Sequence, residues 1–308
     1  MKAAQITEYG DASIVSVVEV EKPPVSEGKV VVKVKASSLN PFDTMVRAGY
    51  LQEMIPLQLP ITLGGDIAGE VVEVGEGVEN VAAGDTVYGQ ANVVAGNSGA
   101  FAEYAATAAG QLAKAPSNIT IQEVASLPLI GTSAIQALEE HINLQSGQKV
   151  LITGGAGGIG QIAIQIAKNL GAHVATTASG DGIDIVKGLG ADQVFDYKSD
   201  DYTQSLSDYD AAFDTVGGEE LKRIVSILKK GGIAVSMVGE PEKKEGVTTV
   251  SQMTHVTTEK LNHLRELVES GIVKPNVGQV FNLNEVQDAF AARESGSVAG
   301  KVVLNISA

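Results

Sequence analysis

The sequence predicts an α/β protein in which a doubly wound parallel sheet is inserted into a β-rich, barrel-like domain. Three observations support this prediction. Short strands with alternating apolar residues fill roughly the first 115 positions, a strand, a glycine-rich turn and a helix follow at 150–172, and strands then alternate with helices. Such alternation is typical of parallel sheets, whereas closely spaced strands without long helices favour a barrel.

Composition and charge narrow the possible functions. The 308 residues, enough for two domains, carry a formal net charge of −15, so nucleic acid is a poor candidate partner. The absence of cysteine excludes a disulfide or a thiolate metal site. The N-terminus lacks the apolar region of a signal peptide and no segment resembles a membrane anchor. We therefore expect a cytoplasmic protein with no membrane partner.

The first domain is predicted from short apolar runs that glycines separate, for example Gly64, Gly75 and Gly84. The predicted strands of this region are 29–36, 67–74, 85–94 and 101–107. A helix predicted over 132–141 marks the change to a longer, helical period.

The most informative segment is VLITGGAGGIGQIAIQIAKNLGA at 150–172, in which an apolar strand leads into the GxGxxG pattern of Gly155, Gly157 and Gly160. We expect Gly155 to permit the sharp turn, Gly157 to let the backbone approach a pyrophosphate, and Gly160 to bring the helix close to its strand. The N–H groups at the positive end of the helix would bind the phosphates. This segment predicts a dinucleotide site. A glycine-rich turn without a ligand is the alternative.

Strands and helices continue to alternate after this unit. The predicted strands are 174–178, 193–196, 211–214, 233–238, 277–281 and 301–306. The predicted helices are 183–189, 219–229 (ended by Gly231-Gly232), 258–270 and 284–293. We expect the tail to rejoin the first domain, which gives a discontinuous barrel domain over 1–122 and 259–308 and a nucleotide-binding domain over 123–258.

Several motifs then coincide in order and cover essentially the whole chain. They are SLNPFD at 38–43, GGDIAGEVV at 64–72, GDTVYG at 84–89, GAFAEY at 99–104, GAD at 190–192, FDTVGG at 213–218 and AGKVVL at 299–304. Together they resemble the medium-chain dehydrogenase/reductase superfamily, and within it the zinc-independent quinone oxidoreductase (zeta-crystallin-like) group. The resemblance implies a GroES-like catalytic β-barrel, a Rossmann-type domain, a nicotinamide cofactor and a homodimer.

The zinc ligands of the metal-dependent members are missing. Those alcohol dehydrogenases carry Cys near the position of Asn40 and a Gly-His-Glu run where this chain has Gly64-Gly65-Asp66, and they often add a four-cysteine lobe. The four histidines lie far apart in the sequence, and we expect surface or locally satisfied roles for them: His141, His173, His255 and His263. Zinc needs converging Cys, His or carboxylate ligands, so no metal site is predicted.

Without a metal, hydride transfer to an already electrophilic acceptor is the simplest chemistry. A quinone or the β-carbon of an α,β-unsaturated carbonyl is such an acceptor, and hydrogen-bond donors alone can hold the oxyanion that forms. The predicted function is an NADPH-dependent reductase of such a small molecule. A non-catalytic NAD(P)H-binding sensor or scaffold with the same fold is the alternative.

Asn40 is the predicted catalytic donor, because the resemblance places its position in the barrel loop that faces the nicotinamide. Asn-Pro is also a common turn dipeptide, and both interpretations stay open. Asp43 is expected to cap the helix that starts there. Some relatives carry Tyr at the position of Met45, so one donor used elsewhere in the group is absent here.

The cofactor preference rests on the strand 174–178, which ends without the acid that favours NAD. Ser179 can donate to a phosphate oxygen, and the resemblance implies that Tyr197 lines a 2′-phosphate pocket, which favours NADPH and leaves NADH possible. Asp181 argues against a phosphate there, and Lys198 offers a compensating charge. The predicted cofactor-binding residues are Thr132, Gly155, Ala156, Gly157, Gly158, Ile159, Gly160, Ser179, Tyr197, Val216, Val238, Gly239 and Lys301.

Overall fold

The computed structural model describes residues 1–307. Within these residues the strands are β1 (Lys2–Ile6), β2 (Ser16–Glu19), β3 (Lys29–Ser38), β4 (Ile61–Thr62), β5 (Asp66–Val74), β6 (Thr86–Gln90), β7 (Tyr104–Ala108), β8 (Leu112–Lys114), β9 (Lys149–Ile152), β10 (His173–Ala178), β11 (Gln193–Asp196), β12 (Tyr209–Asp214), β13 (Leu228–Ser236), β14 (Thr248–Ser251), β15 (Val277–Asn282) and β16 (Lys301–Asn305). The α-helices are α1 (Pro41–Arg47), α2 (Ile121–Ala125), α3 (Pro128–Ile135), α4 (Gly158–Asn169), α5 (Gly182–Gly188), α6 (Glu220–Ser226), α7 (Thr258–Glu269) and α8 (Val286–Glu294).

Residues 130–255 and 270–274 form one compact unit around a six-stranded sheet. The strand order is β11-β10-β9-β12-β13-β14, and every neighbouring pair is parallel. The order reverses between β9 and β12, which is where a doubly wound sheet binds its ligand, beyond the carboxyl ends of the strands. The predicted parallel sheet is confirmed.

The segment from Val150 to Ala167 is uncharged and long enough to suggest a single membrane-spanning helix. The structure instead divides it into the end of β9 and most of α4. The three apolar residues of β9 are buried, as expected of a strand in a parallel sheet with both faces covered. No helix within residues 1–307 is both long enough and apolar enough to cross a bilayer.

Residues 1–129, 256–269 and those from 275 onward form the second compact unit. It contains a three-stranded sheet, β2-β1-β4, and a larger sheet, β15-β16-β3-β5-β6-β8, in which β7 also pairs with β3. The tail rejoins the N-terminal strands as predicted, since β16 runs antiparallel to β3 with Val303 opposite Ser38. Residues from both ends of the chain share one apolar core, in which Phe101 packs edge-on against Phe290.

The limits of the two units differ by a few residues from the predicted domain limits. Helix α2 contacts β3 and β5, so residues 123–129 go with the barrel. Thr258 donates through Oγ1 to the carbonyl oxygen of Leu112 at 2.7 Å, which holds the start of α7 there as well. Residues 270–274 instead join the parallel-sheet unit, where the N–H of Lys274 donates to Gln165 Oε1 at 2.9 Å.

Three predicted elements end differently in the structure. The helix predicted over 219–229 is shorter, because β13 already starts at Leu228, and Gly231-Gly232 lie where its register with β12 shifts. These glycines therefore belong to an irregular part of the strand pairing rather than to a helix stop. The helix predicted over 132–141 becomes α3 followed by the π-helical Gln136–His141, and the strand predicted over 85–94 ends at Gln90.

Candidate functional site

The turn between β9 and α4 depends on glycines that the fold itself requires. Gly154 has a φ of +68°, so it is the residue that makes the sharp turn. A Cβ on Gly155 would lie 2.0 Å from Thr176 Oγ1, and one on Gly160 would lie 2.3 Å from the carbonyl oxygen of Gly154. The turn role predicted for Gly155 is therefore wrong, because Gly155 instead lets β10 approach. The close packing predicted for Gly160 is what the structure has.

Gly157 differs from these packing glycines. Its backbone, with φ −74° and ψ 167°, suits any residue, and a Cβ there would meet only the Gly154 carbonyl oxygen, at 3.2 Å. It is exposed at the N-cap of α4, and the neighbouring turn residues Ala156, Gly158 and Ile159 are half-buried. The space in front of this helix end suits a phosphate, which the unpaired N–H groups of the first turn can bind.

The end of β10 carries the predicted determinants of cofactor choice. Ser179 is half-buried directly after Ala178, and the N–H of Tyr197 donates to the Ala178 carbonyl oxygen at 3.2 Å. This hydrogen bond places Tyr197, whose side chain is 55% exposed, alongside the end of the strand. Asp181 and Lys198 are both exposed.

Two exposed valines lie just after the ends of β12 and β13. A Cβ on Gly154 would lie 2.9 Å from Val216 Cγ2, and one on Gly217 would lie 2.8 Å from Val238 Cγ2. Val216 and Val238 therefore stand at the same carboxyl edge as the glycine turn. Gly239 follows, where a Cβ would meet Leu221 Cδ1 at 2.9 Å, and Thr132 is buried in α3 of this unit.

In the barrel unit, Asn40 is the N-cap residue of α1. It is only 2% exposed, and both ends of its amide have charged partners. Its Nδ2 donates to Asp66 Oδ2 at 2.7 Å, and its Oδ1 accepts from Lys301 Nζ at 2.5 Å. Asn40 and Pro41 therefore lead into α1, and the amide that was predicted to face substrate lies within a hydrogen-bonded cluster.

Asp66 is the centre of this cluster, and no role was predicted for it beyond its place in a motif. Its carboxylate also accepts from Ser38 Oγ at 3.0 Å, Gln90 Nε2 at 3.2 Å and the Leu129 N–H at 3.1 Å. Burial raises the pKa of Asp66, and the Lys301 ammonium group acts in the opposite direction. Little in the sequence signalled this role, since Asp66 is one of three acids in β5, with Glu70 and Glu73.

Lys301 was predicted as a cofactor contact, and its hydrogen bonds are instead made within the barrel unit. Its Nζ donates to the Leu39 carbonyl oxygen at 2.8 Å and lies 3.9 Å from Asp66 Oδ2, in addition to its bond with Asn40. Burial lowers the pKa of Lys301 to about 8, against the opposing effect of the nearby carboxylates. Two hydrogen bonds hold this ammonium group in place, and the cofactor contact of Lys301 stays a prediction.

Asp43 completes the cluster. Its Oδ2 accepts the backbone N–H of Asn40 at 2.7 Å, which confirms the predicted capping role. Burial raises the pKa of Asp43 to about 7, the Asn40 N–H acts in the opposite direction, and the negative charge of Asp66 raises it further.

The residues of this cluster do not suit zinc as ligands. Asn40 and Gly65 offer neither thiolate nor imidazole, and the two carboxylates already accept N–H and O–H donors. Within residues 1–307 no group of three or more His, Cys, Asp or Glu side chains is arranged to hold a metal ion. A tetrahedral zinc site requires such a convergence.

Comparison with known proteins agrees with this two-part architecture. The family model described as an alcohol dehydrogenase GroES-like domain matches residues 26–117. A second model, described as a zinc-binding dehydrogenase, matches residues 189–304. The predicted combination of a GroES-like barrel with a Rossmann-type domain is confirmed.

Individual relatives cover nearly the whole chain. The 2-methylene-furan-3-one reductase of Solanum lycopersicum is 35% identical over 99% of this chain and 79% of its own length. The chloroplastic NADPH-dependent alkenal/one oxidoreductase of Arabidopsis thaliana is 34% identical over the same shares. Among solved structures, the quinone oxidoreductase of Escherichia coli complexed with NADPH has a TM-score of 0.88 and 26% identity, covering 99% of this chain and 100% of that one.

Proposed function

This chain belongs to the medium-chain dehydrogenase/reductase superfamily, in its quinone oxidoreductase group, and from that premise we propose an NADPH-dependent reduction of a quinone or an α,β-unsaturated carbonyl. The observation that carries the proposal is Gly157, an exposed N-cap whose backbone angles suit any residue. A Cβ there would meet a single protein atom, the Gly154 carbonyl oxygen at 3.2 Å, whereas a bound phosphate would require glycine. The names of the relatives, which include an alkenal/one oxidoreductase and a quinone oxidoreductase, support the same chemistry.

The parallel-sheet unit would bind the cofactor through the carboxyl ends of its strands. The N–H groups of the glycine turn would bind the pyrophosphate, and Ser179 and Tyr197 would contact the 2′-phosphate. Thr132, Val216, Val238 and Gly239 remain predicted cofactor contacts, and we assign them to the nicotinamide half. Bound NADPH supplies the hydride.

Hydride addition to a quinone or an enone leaves negative charge on the acceptor oxygen, which positioned donors stabilise. Asn40 is the proposed donor. An amide nitrogen carries two hydrogens, and Asp66 accepts one of them at 2.7 Å, so the proposed role uses the other. Lys301, bound to Oδ1 of the same amide, polarises it and strengthens the N–H group as a donor.

We also propose that this reaction proceeds without zinc. The positions of two metal ligands in the zinc-dependent members hold Asn40 and Gly65, and neither residue is a zinc ligand of the usual kind. An electrophilic acceptor does not need the Lewis acid that alcohol oxidation requires. A homodimer and a cytoplasmic location remain predictions from the sequence.

The test is NADPH oxidation, followed by absorbance, with a panel of quinones and enones. Steady turnover with either class supports the reductase, and the relative kcat/KM values decide between the two classes. Tight NADPH binding without turnover on any acceptor would contradict it and favour the sensor. A folded protein that binds no nicotinamide dinucleotide would contradict both functions.

A further inference from the structure

We propose that Asp214 is a positioning residue that fixes the part of the sheet on which the nicotinamide half of the cofactor lies. The inference rests on the proposed function, because it concerns how NADPH is held. Asp214 is the last residue of β12 and is fully buried. It belongs to the FDTVGG motif at 213–218, and neither the predicted site nor the proposed chemistry uses it.

The carboxylate of Asp214 joins the ends of three neighbouring strands. Its Oδ1 accepts from Thr153 Oγ1 at 2.6 Å, and Thr153 follows β9 directly. Its Oδ2 accepts from the hydroxyl of Ser236, the last residue of β13, at 2.8 Å. The backbone N–H groups of Val216 and Gly217 donate to it as well, each at 3.1 Å. All these partners are neutral donors, and hydrogen bonds to a charged acceptor are among the stronger ones in proteins.

This network reaches the two exposed valines through their backbones. The N–H of Val216 donates to Asp214 itself, and the N–H of Val238 donates to Ser236 Oγ at 3.1 Å. Ser236 thus receives one hydrogen bond from Val238 and gives another to Asp214. The side chains of Val216 and Val238 are 54% and 51% exposed, so a buried carboxylate fixes two apolar groups that face solvent.

These valines lie on the side of the sheet that suits the nicotinamide. The glycine turn follows β9, where the strand order reverses, and the determinants of the adenosine ribose follow β10 on one side. Strands β12 and β13 are on the other side, so the second half of a dinucleotide would lie over them. We name the pair Val216 and Val238 the valine shelf.

The experiment compares two ligands that share one half. NADPH and 2′-phosphoadenosine diphosphoribose, which lacks the nicotinamide ring, are titrated into the full-length protein by calorimetry. Ser236→Ala removes the hydroxyl between Asp214 and Val238. Asp214→Asn replaces one carboxylate oxygen with an amide nitrogen, whose N–H groups then face the donors that this oxygen accepts in the wild type. The matched control is Ser226→Ala, the same change at an exposed position of α6, where the hydroxyl donates to the Arg223 carbonyl oxygen.

We expect Ser236→Ala and Asp214→Asn to weaken NADPH binding about tenfold, the scale of one hydrogen bond to a charged group. Binding of the ligand without the ring should change by less than about twofold, because the glycine turn and β10 are intact. Ser226→Ala should change neither affinity. Circular dichroism and thermal unfolding establish that the variants are folded.

Equal losses for both ligands would overturn the proposal, because Asp214 would then support the sheet edge as a whole. Unchanged NADPH affinity in a folded Ser236→Ala variant would overturn it as well, and this variant decides the matter if Asp214→Asn does not fold. In both cases the wild type still binds NADPH, and the proposed function is unaffected. Failure of the proposed function has a different signature, since the folded wild type would then show no steady NADPH oxidation with any quinone or enone.

Discussion

Asp43 and Asp66 are two buried carboxyl groups that share Asn40 as a hydrogen-bond partner. The backbone N–H of Asn40 donates to Asp43 and its side-chain Nδ2 donates to Asp66, both at 2.7 Å. Lys301 is the buried cation of the cluster, 3.9 Å from Asp66. Two carboxyl groups and one ammonium group in a buried site make the protonation of Asp43 sensitive to pH near neutrality.

We predict that this cluster makes the stability of the protein fall as the pH rises from about 4 to about 7. The folded state keeps a proton on Asp43 until its raised pKa of about 7, whereas an ordinary aspartate loses its proton near 3.8. In this window the folded state binds more protons, so the free energy of unfolding decreases with pH. Urea unfolding across the window should show a smaller decrease in Asp43→Asn, which keeps an oxygen for the Asn40 N–H.

The half-buried Asp85 provides a control of opposite sign. The Ala82 N–H and Lys114 lower its pKa, so its contribution is present above the ordinary pKa and is lost as the pH falls through the lowered one. Asp85→Asn should therefore leave the decrease between about pH 4 and 7 unchanged. The same pH dependence in wild type and Asp43→Asn would contradict our account of Asp43.

Asn40→Ala should lower kcat by about ten- to a thousandfold, a range that includes the usual effect of removing one oxyanion donor. The affinity for NADPH should remain near that of the wild type. Steady-state kinetics with the best acceptor, together with direct NADPH titration, measures both quantities. Asn282→Ala controls for the loss of a cap, because Asn282 is the N-cap residue of the short 3-10 helix Leu283–Glu285. An unaltered kcat in Asn40→Ala would leave Asn40 as a helix-start residue only.

Gly157→Val should weaken cofactor binding strongly while the fold survives. A Cβ at this position meets only one protein atom, so the side chain would mainly occupy the space in front of the helix end. NADPH titration and circular dichroism are the measurements. Gly188→Ala is the control, since a Cβ there meets nothing within 4 Å at a site away from the turn. A Gly157→Val variant with wild-type affinity would mean that the turn binds no phosphate.

The wild type should use NADPH in preference to NADH by a modest factor, because no charged clamp for the 2′-phosphate is evident. Ser179→Asp should shift the preference toward NADH, since an acid after β10 accepts from a ribose hydroxyl and repels a phosphate. The ratio of kcat/KM for the two cofactors is the measurement, with the exposed Ser199→Asp as the control for added charge. Equal use of both cofactors by the wild type, or a preference for NADH, would show that the absence of this acid does not determine the choice.

The purified protein should contain no stoichiometric zinc, because Asn40 and Gly65 occupy the superfamily's ligand positions. Elemental analysis after dialysis measures the metal content, and a zinc-dependent alcohol dehydrogenase treated in parallel controls for loss of metal. Activity should also survive a chelator. About one zinc per chain, or activity abolished by chelation, would be incompatible with metal-independent chemistry.

Much of the fold was predictable from local patterns. The alternation from β9 to β13 and the glycines around Gly157 follow from apolar periodicity and turn chemistry, which are short-range signals. The exception at 219–229 has a physical cause. Helical periodicity continued through Leu228, but that residue is fixed by pairing with Tyr209 in the sheet, a contact that local sequence does not reveal.

The candidate site was less predictable, because its groups meet across long separations. Asn40, Asp66 and Lys301 come from three distant strands or loops, and only the barrel brings them together. The same is true of Asp214, whose partners Thr153 and Ser236 follow from strand order rather than from spacing. The sharp turn was assigned to Gly155 rather than to Gly154, because the pattern gives the glycines but not the backbone angles.

The pairing of β16 with β3 has a consequence for how the chain is made. Val303 lies opposite Ser38, so this end of β3 cannot pair with β16 until the ribosome has synthesised the entire parallel-sheet unit, which lies between the two strands in the sequence. Lys301 is the first residue of β16, and until it emerges Asn40 and Asp66 lack their cation. Translation therefore completes the parallel sheet first, and the candidate catalytic cluster can form only after Lys301 has been added to the nascent chain.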